Sequence, residues 1–334
     1  MKVLFCYRVP LIVQEHFRNR LPNNIELIFP PRIEESSLVN LAQDVDILIG
    51  YKFSEELILS AKKLKHIQVP WTGSESLDFN LLKKFPNITV SNSHSNALVI
   101  AEHAIALFLA TAKLIVSSDR KMRKGDWSSR YNDENSYLLY QKNLGVIGFG
   151  AIGINVAKIL KAAFNMKILA IKRFPEKINP KIEYDYLGGY EKEDLEHLLK
   201  QSDFILIALP LTEETRNLIG KDEFKLMKPN TIIVNISRGP IINEEALFNS
   251  LKKKKIAGAG LDVWYNYPKD RKNPVNVFQN FPFRDLDNVV LSPHRAFKVH
   301  ERGDIVSAQD VIDNIILISE RNKPKNQLNL ELGY

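Results

Sequence analysis

Short apolar runs alternate with stretches of helical period along most of the chain. In the first hundred residues the runs are KVLFCY, IELIF, VDILIGY, LKHIQVP and ITVSNS, with amphipathic stretches such as SEELILSAKKL between them. The scheme repeats with LGVIGFG, MKILAIK, DFILIAL, TIIVNIS, IAGAGLDV and NVVLS. These runs are apolar almost throughout, as strands buried on both faces should be, and their alternation with helices predicts parallel sheets covered by helices. At 334 residues the chain is long enough for two such α/β domains. No Gly/Ser linker or low-complexity segment separates them, so the boundary is expected inside helices. Two long apolar helices are expected, over Asn96–Ser117 and Arg302–Arg321.

Composition narrows the class. Hydrophobic residues at 45% and charged residues at 25% suit a soluble globular protein. Cys6 has no second cysteine to pair with and sits in the first strand-like run, which predicts a buried structural thiol. The first apolar run is short and turns polar at once, unlike a secretion signal. Glu102 and Lys113 interrupt the most apolar helix, leaving far fewer than the ~18 uncharged residues that span a bilayer. A soluble cytoplasmic protein without a membrane partner is expected. Net charge is +7, with a basic run at Lys252–Lys255. Those lysines close the helical stretch EEALFNSLKKKK, where cations suit the negative helix end. No aromatic interleaving or recognition-helix pattern accompanies them, so no nucleic-acid partner is expected. His16, His66, His94, His103, His197, His294 and His300 lack metal-ligand spacing, so no metal is expected.

The chemistry begins at LGVIGFGAIG (144–153), which runs into AKILKAAF and reads as strand, tight turn and helix. Gly148 permits the turn, Gly150 lets the backbone approach a pyrophosphate, and Gly153 lets helix and strand pack closely. With Ala151 and Ile152 they would present backbone N–H groups and the positive helix end to a dinucleotide. Glycines often mark ordinary turns, so the pattern alone is weak. It gains force from an arginine in NISRG (235–239) and a histidine in SPH (292–294), each just after a buried strand.

These sites join AEHAIALFLATAK (101–113), GDW (125–127), ALPLTEETRNLI (208–219), NISRGPIINEEAL (235–247), AGLDV (259–263) and SPHRA (292–296). In order and spacing the chain resembles the D-isomer-specific 2-hydroxyacid dehydrogenases over nearly its whole length. The resemblance implies two Rossmann-like or flavodoxin-like doubly wound parallel-sheet domains with the cleft between them. A dinucleotide-binding domain would span 97–297. A discontinuous substrate-binding domain would combine 1–96 with 298–334, the two long helices crossing between domains. It also implies a homodimer that buries the 96–120 helix region and its following loop; the competing reading is a helix that is simply core.

The resemblance places Leu209, Pro210, Thr212, Thr215 and Ile236 along the cofactor and Asp262 at the nicotinamide carboxamide. Thr72 and Gly73, in PWTGS, match the loop that binds the substrate carboxylate, although a glycine turn needs no ligand to explain it. Asn92–Asn96 would lie near the cleft, without an assignable role. Arg238 would hold a 2-keto acid, because its fork matches a carboxylate and can also touch the adjacent carbonyl. The plainer alternative is an arginine tying loop carbonyls. His294 would be the general acid–base, since histidine changes charge near neutral pH without large perturbation.

Two positions depart from the family pattern. Its catalytic glutamate, five positions after the aspartate equivalent to Asp262, is here Tyr267, and neither Tyr265 nor Asn266 restores an acid. Either an Arg–His pair suffices, or Asp270, Asp285 or Glu301 reaches His294, or catalysis is lost; the first is expected. At the end of the second strand of the nucleotide fold, where an acid would accept from the adenosine ribose, stand Lys172 and Arg173. Both attract a 2′-phosphate, so NADP is expected, with NAD the alternative and a pair of surface cations the bland reading.

The function expected is NADPH-dependent reduction of a small 2-keto acid, such as glyoxylate or hydroxypyruvate, to a D-2-hydroxy acid. The runner-up enzymes are phenylpyruvate-type and 3-phosphoglycerate dehydrogenases, the latter weakened because only a short tail follows the second crossing helix. A non-catalytic nucleotide-binding scaffold or corepressor is the reading from another class. Retention of both Arg238 and His294 opposes it.

Overall fold

Strands β1 (Lys2–Phe5), β2 (Glu26–Ile28), β3 (Ile47–Ile49), β4 (His66–Gln68) and β5 (Thr89–Ser91) lie parallel in the order β2-β1-β3-β4-β5. The computed structural model describes residues 1–179, 182–270, 272, 279–299 and 303–333. Within it the chain divides into two units, Met1–Asn96 with Lys298–Tyr334, and Ala97–Phe297. The five strands belong to the first unit, as do α1 (Leu11–Arg20), α2 (Glu35–Ala42), α3 (Glu55–Ser60) and α4 (Phe79–Leu82). Successive strand residues point to opposite faces, which builds two cores. Val3, Phe5, Ile47 and Ile49 pack with Phe17 and with Ala308, Val311, Ile312 and Ile315 of a later helix, Gly303–Ser319. Leu4, Leu48 and Ile67 face Leu38, Leu57 and Leu82. Residues 326–328 then run antiparallel along the outer edge of β5. Asn92 N–H donates to Asn326 O at 3.2 Å, Leu328 N–H donates to Val90 O at 2.8 Å, and Ser91 pairs with Gln327.

The second unit holds α5 (Ala97–Ala112), α6 (Ile115–Met122), α7 (Ser128–Tyr131), β6 (Asn143–Ile147), α8 (Ala151–Phe164), β7 (Lys167–Ile171), β8 (Tyr186–Gly188) and α9 (Lys192–Gln201). It continues with β9 (Phe204–Ile207), α10 (Lys221–Leu226), β10 (Ile232–Asn235), α11 (Glu244–Lys252), β11 (Gly258–Leu261) and β12 (Val289–Leu291). Its seven strands are parallel, in the order β12-β11-β10-β9-β6-β7-β8. Sequence order reverses between β6 and β9, and ligands of such sheets lie beyond the strand C-termini at that reversal. Ile205, Ile207, Ile233 and Leu261 face one core, and Phe204, Leu206, Ile232 and Val234 the other.

Three sequence expectations change. The helix expected over Asn96–Ser117 ends at Ala112, because Leu114 turns left-handed (φ 56°) and α6 leaves at 63° to α5. The divisions between units fall at 96/97, where α5 starts, and at 297/298, ahead of the Gly303–Ser319 helix, and not inside helices. The reason is that α5 packs on α8, β10 and β11, while the Gly303–Ser319 helix, now α12, packs on α1. Strand β8 was not foreseen, being only three residues at a sheet edge. Arg302, the expected start of α12, lies outside the described residues. Among the described residues no single helix is long and apolar enough to cross a membrane.

Candidate active site

The glycine turn between β6 and α8 has the geometry its residue types demand. Gly148 has φ +100°, and a side chain there would meet Ala208 O at 2.5 Å. At Gly153 a Cβ would lie 2.5 Å from Gly148 O, so only glycine seats α8 this closely on the turn. Gly150 precedes α8 directly, and a Cβ there would meet nothing within 4 Å. The helix start, with Ala151 and Ile152 in its first turn, therefore faces open space. Its first N–H groups lack partners within the helix, which fits the pyrophosphate of a dinucleotide.

Lys172 and Arg173 follow β7. Lys172 Nζ donates to Phe149 O at 3.5 Å, and burial holds its pKa below the ordinary lysine value, against the pull of Glu176. Arg173 forms a close ion pair with Glu214 from the loop after β9. That loop closes on itself: the buried Thr215 donates its hydroxyl to Pro210 O at 2.7 Å and accepts from Thr212 N–H at 2.7 Å. Leu209 and Ile236 are buried, and the Ser237 hydroxyl donates to Leu209 O.

Asn235, the last residue of β10, turns the chain toward Arg238. Its Oδ1 accepts from Ser237 N–H at 3.0 Å and its Nδ2 donates to Arg238 O at 2.9 Å. The half-buried Arg238 donates through Nη1 to Ser237 O at 2.7 Å, and its charge acts on Tyr267. The Tyr267 hydroxyl accepts from Trp264 N–H at 3.1 Å, and its ring lies 5.5 Å from the ring of His294. Burial lifts the Tyr267 phenol above its ordinary value, opposed by the Trp264 N–H and Arg238 and assisted by Asp262. Tyr267 thus offers His294 a neutral aromatic surface.

Asp262 directly follows β11. Its side chain is fully buried and aims at the 292–296 loop. Oδ1 accepts from the Ser292 hydroxyl and from Arg295 N–H at 2.9 Å, Oδ2 accepts from Ala296 N–H at 3.0 Å, and His103 Nε2 stands 3.3 Å from Oδ1. The Trp264 indole donates to Ser292 O at 2.8 Å. This pinning on both sides leaves His294 exposed, with a left-handed backbone at φ 53°. His103, Ser292 and Trp264 were not singled out from sequence; the available signal was a polar His103 inside the apolar AEHAIALFLATAK helix.

Burial pushes the Asp262 carboxyl up, but donation from His103, Ser292 and the Arg295 and Ala296 N–H groups outweighs it and holds the pKa below the ordinary value. A depressed carboxyl stabilises the fold above its unfolded pKa of about 3.9, and the contribution is lost as pH falls through the folded value. Asp262→Asn is expected to cost about 1–3 kcal/mol at neutral pH and to lose less stability than wild type on acidification. Unfolding midpoints measured between about pH 3 and 7 test this, and parallel acid limbs for both proteins would refute it.

Three other acids were candidates to reach His294. Asp270 is exposed and accepts from Lys272 N–H, Asp285 is paired with Arg284, and Glu301 lies outside the described residues. In the first unit, Thr72 Oγ1 bonds Ser93 O at 3.0 Å and Asn96 Oδ1 at 2.9 Å, and Asn92 Nδ2 donates to Thr72 O at 2.8 Å. Asn92 and Asn96, which had no assignable role, fix the Thr72–Gly73 loop.

A parallel sheet of this order, with its glycine turn at the reversal, places the second unit in the dinucleotide-binding class. Residues 105–296 match the NAD binding domain of the D-isomer specific 2-hydroxyacid dehydrogenases. The chain is 36% identical over 312 residues to a glyoxylate reductase of Thermococcus litoralis, covering 91% of this chain and 88% of that protein. A D-3-phosphoglycerate dehydrogenase of Archaeoglobus fulgidus is 37% identical over 265 residues, which is 78% of this chain and 47% of that protein. Among solved structures, an acyclic imino acid reductase in complex with NADPH and D-Arg superposes with TM-score 0.75 at 29% identity, covering 98% of this chain and all of that one (100%). The chain belongs to the D-isomer specific 2-hydroxyacid dehydrogenases. It is an NAD(P)-dependent oxidoreductase acting on CH–OH groups.

Proposed function

We propose that the chain reduces small 2-keto acids of the glyoxylate or hydroxypyruvate type to D-2-hydroxy acids with NADPH. The observation that carries this is the presentation of Arg238 and His294 around Tyr267, at the strand ends of the sheet that holds the glycine turn. Arg238 binds carboxylate and carbonyl through its fork and polarises the bond to be reduced. His294 gives its proton to the carbonyl oxygen, and the neutral ring takes it back in oxidation. When bound, the nicotinamide cofactor supplies the hydride. Asp262, Ser292 and Trp264 hold the His294 loop, and Tyr267 leaves an Arg–His pair to do the acid–base and clamping work. Thr72 and Gly73 are assigned to the carboxylate by family register.

The glyoxylate reductase relatives support the substrate class, and the cations Lys172 and Arg173 support NADPH. The reading includes a cytoplasmic homodimer. The exposed Leu98, Ile115, Met122, Trp127, Tyr131 and Leu138 of α5–α7 and the loop after them support the dimer, since monomers rarely leave large apolar patches uncovered.

The test follows loss of reduced-cofactor absorbance with glyoxylate, hydroxypyruvate, phenylpyruvate and 3-phosphohydroxypyruvate, using NADPH and NADH separately. Turnover of the first two is expected, with NADPH bound about tenfold or more tighter than NADH. Turnover confined to phenylpyruvate or 3-phosphohydroxypyruvate would transfer the chain to that substrate class. Equal or tighter binding of NADH would reject the role of Lys172 and Arg173, and failure with every keto acid would reject catalysis.

A further inference from the structure

We infer that Glu214 sets the cofactor selectivity of this chain by competing with a 2′-phosphate for Arg173. The inference rests on the reading that Arg173 faces the adenosine ribose. Strands β7, β6 and β9 are neighbours, so the loop after β9 can reach across β6 to the end of β7, and Glu214 does so to pair with the Arg173 guanidinium. The arginine side chain is 21% exposed and the glutamate 67%, so the cation sits under the loop while the carboxylate faces solvent. Glu214 is not on a loose segment, because Thr215 ties the loop to Pro210 and Thr212.

A carboxylate on that fork does two things. It offsets the permanent positive charge that would attract a phosphate, and it occupies N–H donors that a phosphate would use. Lys172 replaces little of this, since its ammonium is turned to Phe149 O and partly buried. NADPH must therefore displace or share the Glu214 bond, whereas a ribose 2′-hydroxyl can donate to the same carboxylate. The pair moderates a preference for NADPH that two adjacent cations would otherwise make steep, and it leaves the site able to accept NADH.

The experiment measures NADPH and NADH dissociation constants by fluorescence titration for wild type, Glu214→Gln, Arg173→Ala and the double variant. Glu214→Gln keeps size and is largely exposed, so the fold should tolerate it. It is expected to tighten NADPH by about three- to tenfold with NADH unchanged or weaker. In the Arg173→Ala background the same substitution should change NADPH binding by less than about twofold. An unchanged NADPH/NADH ratio in Glu214→Gln, with Arg173→Ala still weakening NADPH, would overturn the competition and leave the ribose-phosphate reading standing. NADPH binding that survives Arg173→Ala intact would overturn both. A gain in NADPH affinity equal in the two backgrounds would show general charge repulsion in place of competition for Arg173.

Discussion

Arg238→Lys is expected to lose about 100-fold or more in kcat/KM although the charge is kept. A guanidinium holds two acceptors in one plane, while an ammonium is a point charge on a flexible stem and cannot grip carboxylate and carbonyl together. The backbone should not move, because Asn235 fixes the carbonyl of residue 238 and the neighbouring Ser237 N–H independently of the arginine side chain. Dinucleotide binding should change little, since the glycine turn lies at another strand end. Steady-state kinetics with the preferred keto acid, together with an NADPH titration, separate the two effects. Near-wild-type kinetics would place the clamp on another residue.

The second large effect is expected at His294. His294→Asn should lower kcat/KM by about 10²–10⁴-fold, because an amide can hydrogen-bond to the carbonyl oxygen but cannot give it a proton. Asparagine suits the site: the backbone is left-handed at φ 53°, a conformation in which asparagine is enriched. The Asp262, Ser292 and Trp264 bonds that hold the loop do not use the side chain of residue 294. Reduction by wild type should decline as rising pH deprotonates the ring, and the residual activity of the variant should lack that limb. A variant that retains the pH-dependent limb would show that another group is the proton donor. Tyr267 matters to the same profile, because its neutral ring adds no negative charge to sustain the imidazolium as a glutamate would.

Much of the architecture could be read from the chain because both sheets are parallel and buried. Strands such as Ile232–Asn235 and Phe204–Ile207 are apolar at nearly every position and bounded by turns, which is the signal a doubly covered strand must give. Tyr186–Gly188 gave none, since an edge strand this short buries too little to need an apolar run. The break at Leu114 was invisible for a related reason: leucine is a good helix former, and its residue type does not signal the left-handed backbone it adopts. At the site, glycine and arginine motifs are local in sequence and were legible. The Asp262–His103–Ser292 cluster and the Glu214–Arg173 pair join positions far apart in the chain. No periodicity encodes such meetings, because they follow from strand order.

The return of α12 and the pairing of residues 326–328 with β5 carry a consequence for biosynthesis. The β1–β3 face formed by Val3, Phe5, Ile47 and Ile49 is closed by Ala308, Val311, Ile312 and Ile315, and the free edge of β5 is closed by the segment that follows. On the ribosome these covers emerge about two hundred residues after β5, roughly 10–40 s later at ordinary elongation rates. Through that interval the earlier strands hold an open apolar face and an unpaired edge, the two features that promote self-association. The second unit, contiguous from 97 to 297, has no such wait. The nascent chain thus matures out of order: the part translated first is the part completed last, and its yield depends on what shields it meanwhile.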